Sequence, residues 1–359
     1  MHYATVRVTK VKVVTLIRCH RKQILQVALT GNLFRQETGK MYRKEIITPE
    51  EREKLLENLG NNLPYGLKAN ISGVCIKLNT DIDYWADEWR RNWFPIMHTI
   101  HSHGRLFVRN IGGEETVKYD PLSNTAFLLD TDYYGYVKSI ALAIAGDVME
   151  ENHDIYSIHG ACLDVDGHGV SIIAPSGTGK TTTAYGLMRL KNVRFIGDDW
   201  HFFRFFNGDV IAYGSENESY IRADVGDVWH EYEKLVKIAR FDNKDRAVVD
   251  ISRIVGRGNI RDSVPLKHVI LLKRDSRDRE PVRKMDAEEA LDYLVKNNFC
   301  NPHFLVQNER KLKLRKKAYG MLLKQTDVYL LNTIETPLQS HMRVRKILGI
   351  PKNATLRPL

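Results

Sequence analysis

Ala174-Pro175-Ser176-Gly177-Thr178-Gly179-Lys180-Thr181 is the stretch on which the reading of this chain turns. The apolar run Gly169-Val170-Ser171-Ile172-Ile173 precedes it, and a helical pattern from Thr182 to Leu190 follows. Strand, glycine-rich loop and helix, in that order, are the context in which such a loop binds phosphate. Gly177 and Gly179 let successive backbone N–H groups turn inward around phosphate oxygens. The following helix adds its unsatisfied amides and positive dipole end. Ser176, Gly177, Thr178, Gly179, Lys180, Thr181 and Thr182 are therefore the expected nucleotide-binding set. Lys180 is suited to reach the β- and γ-phosphates of ATP, and the Thr181 hydroxyl to ligate Mg²⁺. The usual first glycine of the motif is Ala174 here, which fits if its φ is negative.

Downstream, Val193-Arg194-Phe195-Ile196-Gly197 reads as a strand ending in Asp198-Asp199, 18 residues after Lys180. Paired carboxylates at a strand end suit a metal-phosphate site: one holds Mg²⁺ and the other takes a proton from an attacking hydroxyl. Upstream, His159 lies 21 residues before Lys180, a spacing that puts it on the strand beside the loop-bearing strand, within reach of the Asp pair or the metal.

The runs Ile158-His159-Gly160-Ala161, Gly169 to Thr181 and Gly197-Asp198-Asp199 resemble the HPr kinase/phosphorylase family. They are also similar to the nucleotide site of ATP-dependent phosphoenolpyruvate carboxykinase, a structural relative of that family. Val248 to Gly256 and Val264 to Leu272 look like the family segment after its signature loop, so the resemblance spans roughly residues 110 to 350. It implies that Lys180 binds phosphate, Thr181 and Asp199 bind Mg²⁺, Asp198 is the catalytic base, and His159 polarises the Asp pair or approaches the metal, the two aspartates being exchangeable. It also implies a protein serine as acceptor and a homo-oligomer. One departure is plain. Asp242-Asn243-Lys244-Asp245 stands where HPr kinases carry Glu-x-Arg-Gly, which points away from HPr itself and from phosphorolysis.

Length and composition bound the rest. A chain of 359 residues with 43% hydrophobic content supports two domains or one large one. The four cysteines, Cys19, Cys75, Cys162 and Cys300, form no Cys-x-x-Cys pair, which excludes a zinc ribbon and a disulfide framework and suggests a reducing cytoplasm. No apolar run approaches the ~20 residues that span a bilayer, and the charged N-terminus is unlike a signal peptide, so no membrane partner is expected. Residues 1–110 hold 18 Lys and Arg against 10 Asp and Glu, residues 301–359 hold 12 against 3, and residues 111–300 hold 24 against 31. Basic flanks around an acidic middle suggest an anionic partner, RNA or an acidic protein.

The remaining pattern reads as two strands over residues 5 to 30 joined by the basic turn Arg18-Cys19-His20-Arg21-Lys22, then a helix capped by Thr48-Pro49-Glu50-Glu51 and stopped at Gly60-Asn61-Asn62. Trp85, Trp89 and Trp93 share one helical face, expected to be core. His98, His101 and His103 read as a loop, with metal binding the rarer alternative. Thr125 to Leu129 is an expected strand, Tyr136 to Glu150 a helix, and Trp200 to Tyr213 a hairpin turning at Asn207-Gly208-Asp209. Ser215 to Arg222 is expected near the phosphates, with Arg222 the first candidate for a γ-phosphate contact and Arg257 and Arg261 its rivals. Leu266 to Lys273 and Val328 to Leu331 read as strands. Asp286 to Asn297, the strongly basic Asn308 to Lys324, and Pro337 to Leu348 read as helices.

The expected fold is α/β: a P-loop kinase core of the HPr kinase/phosphoenolpyruvate carboxykinase type over residues 111–359, preceded by a smaller α+β domain over 1–110. The expected activity is ATP- and Mg²⁺-dependent phosphoryl transfer to a hydroxyl of a macromolecule. An RNA hydroxyl, a small-molecule hydroxyl, and a nucleotide-sensing module without catalysis are the alternatives.

Overall fold

The computed structural model describes residues 42–59, 63–216, 218–222, 225–242 and 246–357. The strands read over residues 5 to 30, with their basic turn, lie outside the described residues, as do Gly60-Asn61-Asn62 and Asn243-Lys244-Asp245.

β1 (Arg43–Ile46) leads into α1 (Pro49–Leu59). That helix opens with a capping box: Thr48 Oγ1 accepts from the Glu51 N–H at 3.3 Å, and the Glu51 carboxylate accepts from the Thr48 N–H at 2.8 Å. Next come β2 (Tyr65–Ile71), β3 (Val74–Thr80), α2 (Asp83–Asn92), β4 (Phe94–Pro95), β5 (Gly104–Arg109), β6 (Thr116–Asp120) and β7 (Thr125–Leu129). The strands form one seven-stranded sheet in the order β1-β6-β7-β5-β3-β2-β4. β7 pairs parallel with β5 and antiparallel with β6, so the boundary read at residue 110 falls inside this sheet, between β5 and β6. That boundary is where the resemblance over residues 110 to 350 begins, and motifs do not register strand pairing. Trp85, Trp89 and Trp93 are all buried, and Trp85 stacks on Tyr134 at 6.2 Å. His98, His101 and His103 are exposed before or at the start of β5, and among the described residues no group of three or more His, Cys, Asp or Glu converges to hold a metal.

α3 (Tyr134–Asn152) is buried along most of its length, because it lies between the first sheet and β8 (Tyr156–Ile158). A Cβ on Gly104 of β5 would come within 2.4 Å of Ile144 in this helix. One on Gly146 would come within 2.2 Å of Ser157 in β8, so the helix touches both sides.

Then follow β9 (Gly160–Val165), β10 (His168–Ile173), α4 (Lys180–Met188), β11 (Val193–Gly197), β12 (His201–Phe206) and β13 (Asp209–Tyr213). β12 and β13 are the expected hairpin, turning at Asn207 and Gly208 with φ of 50° and 85°. β14 (Glu218–Arg222), α5 (Val225–Val228), α6 (Glu233–Ile238), β15 (Arg240–Phe241), β16 (Arg246–Asp250) and α7 (Ile251–Val255) build a small sheet, β14-β16-β15, and its short helices. The chain closes with β17 (Ser263–Lys273), β18 (Val282–Met285), α8 (Ala287–Lys296), α9 (Glu309–Lys324), β19 (Asp327–Asn332) and α10 (Pro337–Ile347).

The second large sheet runs β11-β9-β10-β17-β13-β12-β8, with β19 beside β17 and β18 beside β19. β10, β17 and β19 are parallel, so their C-terminal ends share one edge, where α/β proteins place ligands. Alternate residues of β17 face opposite cores. Ile270 and Leu272 pack with Leu187 and Met188 of α4, while Val269 and Leu271 pack with Leu294 of α8 and Leu322 of α9. The architecture is mixed α/β with helices on both faces of this sheet. No helix among the described residues is long and apolar enough to cross a membrane.

The basic helix α9 departs from a simple charged surface. Lys311 is 1% exposed and lies 2.7 Å from Asp147 and 3.2 Å from Glu150 of α3. Arg315, also buried, lies 2.9 Å from Glu150. Two of the cations counted in the C-terminal charge excess therefore face inward and tie α9 to α3.

Candidate functional site

The glycine-rich loop leaves the C-terminal end of β10, at the shared edge of the parallel strands. Gly177 and Gly179 hold φ of 78° and 96°, in the left-handed region that glycine enters without penalty, and Ala174 holds a negative φ. Gly179 is the N-cap of α4 and offers no side chain to its amides, so the N–H groups of the first turn stay open to an anion. The loop is braced from behind. Thr333, just after β19, donates to the Thr178 carbonyl at 2.7 Å, and Thr178 Oγ1 donates to the Pro175 carbonyl at 2.7 Å. Ser176 is exposed, while Thr181 and Thr182 are half-buried in the first helical turn.

Asp198 and Asp199 leave the end of β11 beside this loop, and their environments differ sharply. The Asp199 side chain is 37% exposed and meets three nitrogens. The Lys180 ammonium donates to its Oδ1, His159 Nε2 lies 3.4 Å from that same oxygen, and Lys138 Nζ lies 3.6 Å from Oδ2. Burial alone would raise the Asp199 carboxyl, but Lys180, Lys138 and His159 outweigh it and hold the group well below the usual carboxylate range. Asp198 is 3% exposed, and its Oδ1 is buried with no hydrogen-bond partner. Burial, reinforced by the Asp199 charge and opposed by Lys180, pushes its carboxyl up to about 6.

His159 sits between β8 and β9, next to the loop-bearing strand β10. Its Nδ1 lies 2.7 Å from the Cys300 carbonyl. A carbonyl only accepts, so Nδ1 carries a proton and Nε2 is the atom turned to Asp199. That carbonyl comes from an unusual turn. Asn298, Phe299 and Cys300 are consecutive non-glycine residues with φ of 48°, 53° and 54°. Left-handed backbone costs such residues about 1–2 kcal/mol each. The turn is held by burial of Phe299, whose ring is 4.8 Å from that of Tyr319 and 6.2 Å from that of Phe304. Behind His159 stands His303, 5.8 Å between ring centroids, with Tyr42 Oη 2.6 Å from its Nδ1. Burial drives His303 down to about 3, so it stays neutral.

The structure thus gathers Lys180, Asp198, Asp199 and His159 at one end of the second sheet. It adds two groups to which sequence reading gave no role. Lys138 of α3 is buried and lies 3.1 Å from Glu216, whose carboxyl burial pushes up to about 7. Glu216 belongs to the stretch expected near the phosphates. Lys138 carried a signal of its own: it is the single charged residue in the run Val137 to Ala145. Of the three candidate arginines, Arg257 and Arg261 are not brought to the cluster. Arg222 falls in β14 and its side chain lies outside the described residues. Arg257 and Arg261 are exposed; Ile260 bridges Phe195, which lays their segment along β11, but neither guanidinium bonds to the Lys180–Asp199 pair.

The donor set fits a phosphate-bound Mg²⁺. An accessible, ionised Asp199 and the Thr181 hydroxyl flank the loop, and such sites take only one or two protein ligands, with phosphate oxygens and water completing the shell.

No family model matches this chain, and no curated protein matches it. Among solved structures it is similar to the Hpr(Ser) kinase/phosphatase from Coxiella burnetii, at 13% sequence identity and a TM-score of 0.32, over 54% of this chain and 90% of that one.

Proposed function

We propose that the protein binds ATP with Mg²⁺ at this edge and transfers the γ-phosphoryl group to a hydroxyl of a macromolecule, a protein serine in the first instance. The observation that carries the reading is the ion pair of Lys180 with Asp199, which joins the glycine-rich loop to the carboxylate pair. The α4 amides and Lys180 cradle the phosphates. The Thr181 hydroxyl and Asp199 hold Mg²⁺, which neutralises charge on the phosphate oxygens. Once the phosphates draw Lys180 away, Lys138 remains to keep Asp199 ionised, with His159 Nε2 still against its Oδ1. The acceptor hydroxyl gives its proton to Asp198, whose carboxyl near 6 is ionised at neutral pH yet basic enough to receive it. The acceptor O–P bond forms as the bond between the γ-phosphorus and the bridging oxygen breaks, and ADP leaves with that electron pair.

The test is transfer from γ-labelled ATP into a desalted lysate of the source organism, followed by protease or ribonuclease. Label that protease removes supports the reading, whereas label that ribonuclease removes moves the acceptor to RNA. Free phosphate as the sole labelled product overturns the macromolecular acceptor.

A further inference from the structure

We infer that the left-handed turn Asn298-Phe299-Cys300 is a positioning device for His159, setting which ring nitrogen carries the proton and where the ring points. The inference deepens the proposed phosphoryl-transfer reading and rests on it for its catalytic meaning, though not for its structural content.

The sequence around the turn provides no glycine, so three residues hold a backbone that glycine would adopt freely. Strain of this kind persists where the surroundings over-determine it. Here Phe299 is anchored in the core beneath β17 and α9, the Cys300 N–H donates to the Asn297 carbonyl at 2.9 Å, and the Asn301 N–H donates to the Asn298 carbonyl at 3.0 Å. Asn301 is wholly buried, and its Oδ1 accepts from the His303 N–H at 3.0 Å. The turn therefore fixes two things together: the Cys300 carbonyl against His159 Nδ1, and the start of the segment that carries His303 behind the same ring. With Nδ1 committed to the carbonyl, Nε2 is turned to Asp199 Oδ1, 3.4 Å away, and donates to it only when the ring also carries a proton there. A relaxed turn would release the carbonyl, and the imidazole could flip or exchange tautomers. Cys300, 141 residues from His159 in the chain, matters through its main-chain oxygen and not its thiol.

The experiment reads the ring directly. ¹⁵N-labelled, nucleotide-free protein is examined by NMR near pH 8, with the His159 resonances assigned by their loss in His159→Gln. The expected result is a protonated, slowly exchanging Nδ1–H on His159. Asn298→Gly keeps the left-handed backbone and should keep that proton. Asn298→Val opposes the backbone, and Asn298→Ala opposes it more mildly. Both should weaken or lose the protected proton, and kcat for transfer should fall about ten- to a hundredfold while KM for ATP holds within about threefold. An unprotonated Nδ1 in the wild type overturns the inference, whether or not any variant folds. A protected proton and full kcat in Asn298→Val also overturn it. Because the ring measurement needs no nucleotide, absence of any transfer by the wild type would sink the proposed function and leave the tautomer result standing.

Discussion

The ammonium of Lys138 lies 3.6 Å from Oδ2 of Asp199, reaching it from a helix that no phosphate-binding motif includes. Lys180 holds the other oxygen of the same carboxylate. Only Lys180 is expected to leave when phosphates arrive, so Lys138 is the cation that stays. Lys138→Met should lower kcat by about a hundredfold, the scale seen when one preorganised electrostatic partner is deleted. The variant also strands Glu216 in a buried site, so Lys138→Met with Glu216→Gln should regain stability without regaining rate. Steady-state kinetics and urea midpoints on the two variants separate these effects. A kcat within threefold of wild type in Lys138→Met would remove Lys138 from the site.

Asp198 links chemistry to stability. Its carboxyl is raised from 3.8 to about 6 in the folded chain, so the native state binds its proton more tightly than the unfolded state does. That contribution favours folding at low pH and is lost as pH rises from roughly 4 through 6. Asp198→Asn cannot ionise. Its stability relative to wild type should therefore improve across that window, by on the order of 1–3 kcal/mol at pH 8. Urea unfolding of both proteins at pH 5 and pH 8 checks the sign, and a constant difference would contradict it.

Gly179 stands at a φ of 96° with its nearest foreign atom, in Thr333, 3.8 Å from where a Cβ would be. Space is available to alanine, but the conformation is not. Gly179→Ala should cost about 1–2 kcal/mol if the loop keeps its shape. If the loop relaxes instead, ATP affinity should fall tenfold or more. Calorimetric titration with ATP and Mg²⁺, read beside thermal unfolding, shows which occurs; neither effect would mean that the loop needs no glycine there.

The ion cluster between α3 and α9 is structural. Glu150 accepts both from Arg315 Nε and from its terminal nitrogen at 2.9 Å, and lies 3.2 Å from Lys311. Glu150→Gln leaves the buried Arg315 without its carboxylate, while Lys311 keeps Asp147 and Glu151, and should destabilise the fold by about 3–5 kcal/mol. Transfer activity measured well below the new melting temperature should be little changed. A large loss of activity with unchanged stability would assign the cluster to function instead.

Much of this was legible in the chain because local patterns carry it. The strands Thr125–Leu129 and Val193–Gly197 have the read bounds, and Thr48 and Asp286, at the starts of two expected helices, accept from the backbone amides their residue types imply. Lys180 and Asp199 are only 19 residues apart, within one strand-loop-helix-strand unit, so their pairing follows from motif spacing. What escaped is non-local. Lys138 reaches Asp199 across 61 positions and Cys300 reaches His159 across 141, contacts that exist only once two sheets enclose α3 and the 298–300 turn closes. Charge counting is blind in a related way. Lys311 and Arg315 recur at i, i+4 on the face of α9 that meets Asp147 and Glu150, and a count of charges does not say which way a side chain faces.

Phosphoryl transfer with Asp198 as proton acceptor is the proposal on which the roles of the other residues depend. The most direct measurement is incorporation of label from γ-labelled ATP into a macromolecular fraction, comparing the wild type with Asp198→Asn at pH 8, alongside ATP binding by both. The expected result is labelled acceptor with the wild type, a rate lower by a factor on the order of 10²–10⁴ with Asp198→Asn, and ATP affinity within about threefold. Equal rates for the two proteins would contradict the assigned role. ATP binding by the wild type with no transfer to any fraction would contradict the activity itself.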